Sequence, residues 1–161
     1  MIKNEHQYYV TKSWAEKFER AIASVRQNEQ NEKNDPDGWQ LLQGSYQSQL
    51  NSLQEEIAEY ETLTTHDPNQ PVVIKITEVN EISDVIIKAR IAFRISQEEL
   101  AALSGITEKE IQQYEEKDYQ NASFVDVLAV TDALGIKIEQ GAFVAKLYEF
   151  YKEKLAAIRQ S

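Results

Sequence analysis

The chain contains no cysteine and few glycine, proline or histidine residues. Its 161 residues include 5 Gly and 3 Pro, whereas average usage would give about 11 Gly and 8 Pro. Without cysteine there is no disulfide, no zinc–thiolate site and no cysteine nucleophile. The scarcity of helix breakers favours long helices over a turn-rich β fold. Only His6 and His66 are available for histidine chemistry, so a histidine-based metal or acid–base site is disfavoured.

The sequence also contains no long apolar run. No stretch of about 18 apolar residues is present that could cross a membrane, and residues 1–6 lack the apolar core of a signal peptide. We therefore expect a cytoplasmic protein that is not attached to a membrane. A Gly-rich phosphate loop and a nucleophile elbow are both missing, so we expect no enzyme, no small-molecule substrate, no cofactor and no metal.

Negative charge is in excess. The chain has 27 acidic and 17 basic residues, which gives a net charge of −10. Residues 79–140 carry 12 acidic and 6 basic side chains, whereas residues 141–161 carry 2 acidic and 4 basic ones. An acidic protein repels nucleic acid and attracts basic partners. The charge balance is therefore unfavourable for contact with nucleic acid and favourable for contact with a basic protein.

A first helix is predicted by the apolar spacing near the start of the chain. Apolar residues recur every three or four positions from Val10 to Val25, which is the pattern of one helix face. Thr11 or Ser13 is the expected N-cap. The stretch 27–34 has no apolar residue, so we expect a polar loop or a frayed helix end there.

A second, longer helix is predicted from Pro36 to Thr64. Asp35 before Pro36 is the combination typical of a helix start. The apolar residues that follow have mostly heptad spacing, and a seam of this kind needs a partner. We expect it to form a dimer interface through Leu42, Tyr46, Leu50, Leu53, Ile57 and Tyr60. The alternative is that the first helix folds back on the seam as a hairpin within one chain.

The prolines Pro68 and Pro71 mark a break after the second helix. The β-branched run 72–76 predicts a short strand that could pair with 136–138. The expected fold is all-α with minor short strands. Its expected parts are a helical hairpin or coiled-coil arm at 1–66, a linker with a strand at 67–78, a five-helix domain at 79–140 and a C-terminal amphipathic helix at 141–161.

Within the domain, two short helices carry the pattern of a helix-turn-helix. Ser96 with Glu99, and Thr107 with Glu110, have the spacing of capping boxes at the two helix starts. Gly105 between them can adopt the left-handed conformation of a tight turn.

The second of these helices presents two different faces. Ile111 and Tyr114 are expected to face inward. The outer face then carries Glu108, Lys109, Gln112 and Gln113, where DNA base edges could be read.

The stretch from Gln97 to Glu115 has the pattern Q-x-x-L-A-x-x-x-G-I-x-x-x-x-I-x-x-Y-E. It resembles the XRE family, the DNA-binding domains of phage repressors and Cro, and the resemblance covers residues 82–138. It implies a five-helix repressor-like fold with a structural ion pair between Arg90 and Glu115. It also implies contacts with double-stranded DNA. Gln97 would contact a phosphate, and Thr107 would make a contact through its hydroxyl group. Bases would be read by Glu108, Lys109 and Gln113, and the loop after this helix would bind phosphate through Lys117, Tyr119, Gln120 and Asn121.

Two functions follow from this resemblance and the charge. The first is a sequence-specific transcriptional regulator, a repressor that acts as a homodimer on a palindromic operator. The second is an antitoxin or protein-binding module that neutralises a basic toxin, with weak or no independent DNA binding. The helical arm joined to such a domain also resembles, more loosely, some cytoplasmic regulators close to HigA-type antitoxins.

Overall fold

The structure is a computed structural model that describes residues 1–27, 33–141 and 144–160. Every regular element in these residues is helical, which confirms the all-α prediction. The elements are α1 (Glu5–Gln27), α2 (Pro36–Thr65), a short 3₁₀ helix (Val79–Glu81), α3 (Ile82–Ala92), α4 (Gln97–Ser104), α5 (Glu108–Glu116), α6 (Phe124–Ala133) and α7 (Glu149–Gln160).

The helices α1 and α2 pack against each other as a hairpin. Their buried centre consists of Ala15 and Ile22 from α1 and Leu50 from α2. At the tip, the indole N–H of Trp39 donates a hydrogen bond to the carbonyl oxygen of Val25 at 2.9 Å. The apolar stripe of α1 therefore covers the apolar seam of α2 within one chain.

This packing corrects the prediction that the seam of α2 is a dimer interface. Leu50 and Tyr60 are buried in the single chain, and Tyr46, Leu53 and Ile57 pack against the buried hairpin residues. Only Leu42 of the predicted set is substantially exposed. The structure thus follows the intrachain alternative, because α1 already occupies the surface that a second copy would need.

The start of α2 agrees with the sequence, whereas the start of α1 does not. The Asp35 carboxylate accepts the backbone N–H of Gly38 at 3.0 Å, directly before Pro36. In α1, the Asn4 side chain accepts the backbone N–H of Gln7 at 2.9 Å, and the helix begins at Glu5 rather than after Thr11 or Ser13. The predicted polar loop lies mostly at 28–32, outside the described residues.

The two predicted strands are not present in the described part of the chain. Residues 72–76 form neither a helix nor a strand. Val72 and Ile74 pack on the helical core, whereas Val73 and Ile76 are exposed. The run 136–138 is also unpaired. The alternating pattern is satisfied by docking one side of the segment onto helices, and a lone two-stranded ribbon would add little stability.

The arm and the helices α3 to α6 share one hydrophobic core. Ile2, which precedes α1, and Tyr60 and Leu63 of α2 lie in the same cluster as Ile86 of α3. The Lys88 ammonium of α3 also lies 2.5 Å from a carboxylate oxygen of Glu59 in α2. The hairpin is therefore packed into the domain that follows it rather than extending away from it.

The C-terminal helix is shorter than predicted. It was expected from residue 141, but α7 begins at Glu149. Residues 144–148 are not helical, and residues 142–143 lie outside the described part of the chain. An acidic residue in the first turn favours a helix start at Glu149, because it interacts well with the N-terminal end of the helix dipole.

The hairpin packing predicts different costs for two leucines of α2. Leu50→Ala leaves a cavity between α1 and α2 and should lower the free energy of unfolding by about 2–5 kcal/mol. Leu41→Ala is the matched control, because Leu41 is 76% exposed on the same helix and its truncation should cost about 0.5 kcal/mol or less. Urea unfolding measures both. Equal costs would contradict the intrachain packing of the seam.

Candidate nucleic-acid interface

The helices α4 and α5 are joined by a tight turn, and each starts with a side-chain cap. The Ser96 hydroxyl accepts the backbone N–H of Glu99 at 3.0 Å, and the Glu99 carboxylate accepts the backbone N–H of Ser96 at 2.7 Å. After α4, Gly105 has φ +73°, a left-handed conformation that glycine adopts without a steric penalty. Thr107 and Glu110 form the second capping box, at the start of α5. These predicted caps and the turn are present as expected.

The helix α5 has one face in the core and one face on the surface. Ile111, Tyr114 and Glu115 are buried. The exposed face carries the four side chains that were expected to read bases, namely Glu108, Lys109, Gln112 and Gln113. Two of these side chains are hydrogen-bonded to each other, because the Gln112 amide donates to the Glu108 carboxylate at 2.9 Å. The outer face of α5 therefore presents polar donors and acceptors to an approaching surface.

A buried ion pair fixes the C-terminal end of α5 to α3. The guanidinium of Arg90 donates from Nε and Nη2 to the two carboxylate oxygens of Glu115, at 2.5 Å and 2.7 Å. Glu115 is only 1% exposed. Arg90 also donates to the carbonyl oxygen of Ile95 at 3.0 Å. Since a buried charge without its partner is strongly destabilising, this pair restricts how α5 can lie on the domain.

Lys3 contributes to this site, although no motif in the sequence identifies it. Its ammonium donates to the carbonyl oxygen of Glu115 and to the Asp118 carboxylate, both at 2.6 Å. Arg90 in turn donates to the carbonyl oxygen of Lys3 at 3.3 Å. Lys3 is therefore a cation at the C-terminal end of α5, where it interacts favourably with the last carbonyl groups. Its partners are more than 80 positions away, so local patterns could not reveal the contact.

The predicted DNA-contact residues Gln97 and Thr107 both have partners within the chain. The Gln97 amide donates one N–H to Glu115 at 2.8 Å, and the second N–H of such a group is left for another acceptor. The Thr107 hydroxyl donates to the Glu110 carboxylate at 2.6 Å. Gln97 is thus held in position by the ion pair, whereas Thr107 serves first as the cap of α5.

The loop after α5 contains three exposed residues and one buried residue of the predicted set. Lys117, Gln120 and Asn121 are exposed. Tyr119 is only 5% exposed, and its ring lies 5.8 Å from that of Tyr114. Desolvation raises the pKa of the Tyr119 hydroxyl above its ordinary value. Burial of the ring is a correction to its predicted place at the DNA surface, and we treat Tyr119 as a core residue.

Beneath the loop, Asp126 connects the end of α5 to the start of α6. Its carboxylate accepts the Ser123 hydroxyl at 2.7 Å and the Tyr114 hydroxyl at 2.9 Å. These two hydrogen bonds lower the pKa of Asp126, and the bond from Tyr114 raises the pKa of that tyrosine. The ionised form of Asp126 is therefore the one that the folded chain favours.

The basic side chains of this region divide into two groups. Arg90 and Lys88 are engaged by the carboxylates described above. Arg94, Lys109 and Lys117 are exposed. Within the described residues, no carboxylate lies within ion-pair distance of Lys109 or Lys117, so both are available to contact phosphate.

The comparisons with known proteins agree with this geometry. Residues 86–140 match the family described as helix-turn-helix. This segment therefore has the sequence of a helix-turn-helix domain, and the match supports the resemblance to the XRE family. The match supports a DNA-binding transcriptional regulator and covers α4, α5, α6 and most of α3. No curated protein and no solved structure gives a significant match to the chain.

Metal sites and membrane spans are two other classes of feature that bear on function. In the described ranges, no three or more His, Asp or Glu side chains are grouped so that they could hold a metal ion. No described helix is both long enough and apolar enough to span a membrane.

The ion pair of the helix-turn-helix domain predicts a large effect of Arg90→Ala. The substitution leaves Glu115 buried without its partner, so the free energy of unfolding should fall by about 3–5 kcal/mol. Arg20→Ala removes an exposed pair with Glu16 and is the matched control, with an expected cost of about 1 kcal/mol or less. Thermal or urea unfolding compares the two variants. A melting temperature equal to that of the wild type for Arg90→Ala would show that the pair is not structural.

The lowered pKa of Asp126 predicts a pH-dependent contribution to stability. The contribution is present above the unfolded-state pKa of about 3.9 and is lost as the pH falls through the lower folded-state value. Asp126→Asn should therefore be less stable than the wild type at pH 7, and the difference should shrink steadily in acid. Urea unfolding across the acidic range measures this difference. A difference that is constant with pH would contradict the assigned hydrogen bonds.

Proposed function

We propose that the chain is a repressor that binds a palindromic DNA operator as a homodimer. Two copies of α5 would enter successive major grooves about 34 Å apart, and the bound protein would block RNA polymerase. The observation that carries the proposal is the arrangement of α5. Its inner face is locked by Ile111 and the Arg90–Glu115 pair, whereas its outer face is exposed and polar.

The exposed side chains support distinct roles in DNA recognition. Gln113 can pair with the N6 and N7 groups of adenine, and the Glu108 carboxylate can accept from the amino group of cytosine. Lys109 can contact a guanine or a phosphate, and Gln112 lies beside it on the same face. Gln97 with its second N–H, and the exposed loop residues Lys117, Gln120 and Asn121, can contact phosphates. Such contacts set the position of the protein without reading sequence.

The acidic balance favours a second candidate, an antitoxin or protein-binding module. Residues 79–140 carry a net charge of −6, from 12 acidic and 6 basic residues. Opposite charge on a basic protein such as a toxin would speed association and add specificity. This candidate uses the same helix-turn-helix fold, and it differs from the first in requiring little or no independent binding to DNA.

Selection of random duplex DNA on the purified chain tests the first candidate. We expect an enriched palindrome that binds more weakly when the salt concentration is raised, because each phosphate contact releases counterions. The half-site spacing would then report the dimer geometry. If no sequence is enriched even at low salt, the repressor proposal fails. The protein-binding candidate then requires that the chain capture a basic protein partner.

The roles of Lys109 and Gln113 predict two different defects. Lys109→Ala should weaken binding to the enriched site and reduce its salt dependence, by about one unit of slope if the lysine contacts phosphate. Gln113→Ala should relax the preference at one base pair, a change of about 1–3 kcal/mol in discrimination. Fluorescence anisotropy with the enriched duplex and single-base variants measures both.

The controls for these two substitutions lie on the hairpin. Lys12→Ala and Gln49→Ala remove an exposed lysine and an exposed glutamine from α1 and α2. Both should leave the binding curves unchanged. Unchanged curves for Lys109→Ala and Gln113→Ala as well would contradict the assignment of α5 as the reading helix.

A further inference from the structure

The helix α6 presents an apolar face that no other element in the described part of the chain covers. Phe124 is 75% exposed, and Val125 and Leu128 are also more than half exposed. The three residues lie within two turns of the same helix, with Leu128 one turn after Phe124 and three residues after Val125. Adjacent large apolar side chains left in water are typical of an interaction site.

The C-terminal helix α7 also has large apolar side chains that are exposed. Phe150 is 66% exposed, and Tyr151 is also mostly exposed. The two rings lie 5.2 Å apart. No residue from 144 to 160 belongs to either hydrophobic cluster of the described chain, and α7 does not pack along α6 within that chain. Each of these helices therefore offers an apolar surface that the described residues leave uncovered.

The charges of the two helices are complementary. The only charged residues of α6 are Asp126 and Asp132. Residues 144–160, which include α7, carry four basic and two acidic side chains. Three of the basic residues and both acidic residues lie in α7 itself. A basic segment is attracted to an acidic helix, whereas two copies of the basic segment repel each other. The charges therefore favour a contact between α7 and α6 over a contact between two α7 helices.

We propose that α7 of one copy packs on the apolar face of α6 of a second copy, and that the exchange is reciprocal. Both helices then bury their exposed aromatic and aliphatic side chains, and the two contacts are related by a two-fold axis. This inference rests on the homodimer in the proposed function and names its interface. It replaces the seam of α2, which α1 occupies, as the surface that joins the two copies.

Charge-reversed pairing of variants tests the exchange. Leu128→Lys places a cation on α6 that repels the basic α7, and Phe150→Glu places an anion on α7 that repels the acidic α6. The expected result for each full-length variant alone is a dimer dissociation constant about tenfold or more weaker than that of the wild type. Leu41→Lys, at an exposed leucine of α2, is the control and should leave dimerisation unchanged.

Mixing the two variants gives the decisive result. A heterodimer contains one wild-type α6–α7 contact and one in which the introduced lysine on α6 faces the introduced glutamate on α7. The equimolar mixture should therefore dimerise again. Sedimentation velocity measures the wild type, each variant and the mixture. A monomeric wild type, or a mixture that remains monomeric, overturns the exchange. If the mixture remains monomeric although the wild type dimerises, the interface is another surface or a contact between two α7 helices.

Two additional measurements separate other causes of failure. Far-ultraviolet circular dichroism and thermal unfolding show whether each variant is folded, and restored dimerisation in the mixture cannot arise from misfolded chains. The sedimentation experiment contains no DNA. A failure to select any operator would therefore contradict the proposed function without affecting the interface, and a monomeric wild type would contradict the interface without affecting DNA binding by α5.

Discussion

The buried ion pair between Arg90 and Glu115 is the constraint on which the orientation of α5 and of its exposed polar face depends. It joins α3 to the end of α5 with two short hydrogen bonds in a region that water hardly reaches. Gln97 of α4 and Lys3 bind the same glutamate, one at its carboxylate and the other at its carbonyl oxygen. Because separation of a buried charge from its partner is costly, three helices and the start of the chain are held in one relative orientation.

The fold accounts for part of the negative charge of the helix-turn-helix region. Several acidic residues of the helix-turn-helix region have structural roles: Glu99 and Glu110 complete capping boxes, Glu115 neutralises Arg90, and Asp126 accepts hydrogen bonds from two hydroxyl groups. Acidic groups at helix starts also interact favourably with the helix dipole. These four carboxylates are therefore accounted for by the fold, and they remain part of the net charge of −6 that a DNA phosphate would meet. The ammonium of Lys109 is exposed on α5, and no carboxylate among the described residues pairs with it.

Local features of the fold could be predicted from the sequence, and long-range ones could not. Ser96, Thr107 and Gly105 mark helix boundaries through bonds that span three or four residues, and the structure has these boundaries as expected. The partner of the α2 seam could not be predicted, since heptad spacing is satisfied equally by α1 or by a second chain. The run 72–76 has the composition of a strand, but helices rather than another strand cover one side of it.

The candidate site also combines features that could be predicted from the sequence with features that could not. The exposed face of α5 followed from helical periodicity, and the Arg90–Glu115 pair followed from the family resemblance. The contacts of Lys3 depend on the hairpin folding back onto the domain, which no spacing in the sequence encodes. Tyr119 was expected at the DNA surface from its place in the loop. In the structure, Asp118 and Tyr119 both have positive φ, and the ring of Tyr119 is buried. The local sequence does not specify this backbone conformation.

The central claim is that the outer face of α5 reads DNA. The most direct measurement is the nuclear magnetic resonance of the side-chain amide groups of Gln112 and Gln113 in the ¹⁵N-labelled chain, recorded with and without a duplex that carries the selected operator. We expect large shifts for these two amides and unchanged signals for Gln47 and Gln49 on α2. Unshifted signals from both α5 glutamines in a saturated complex would contradict the claim.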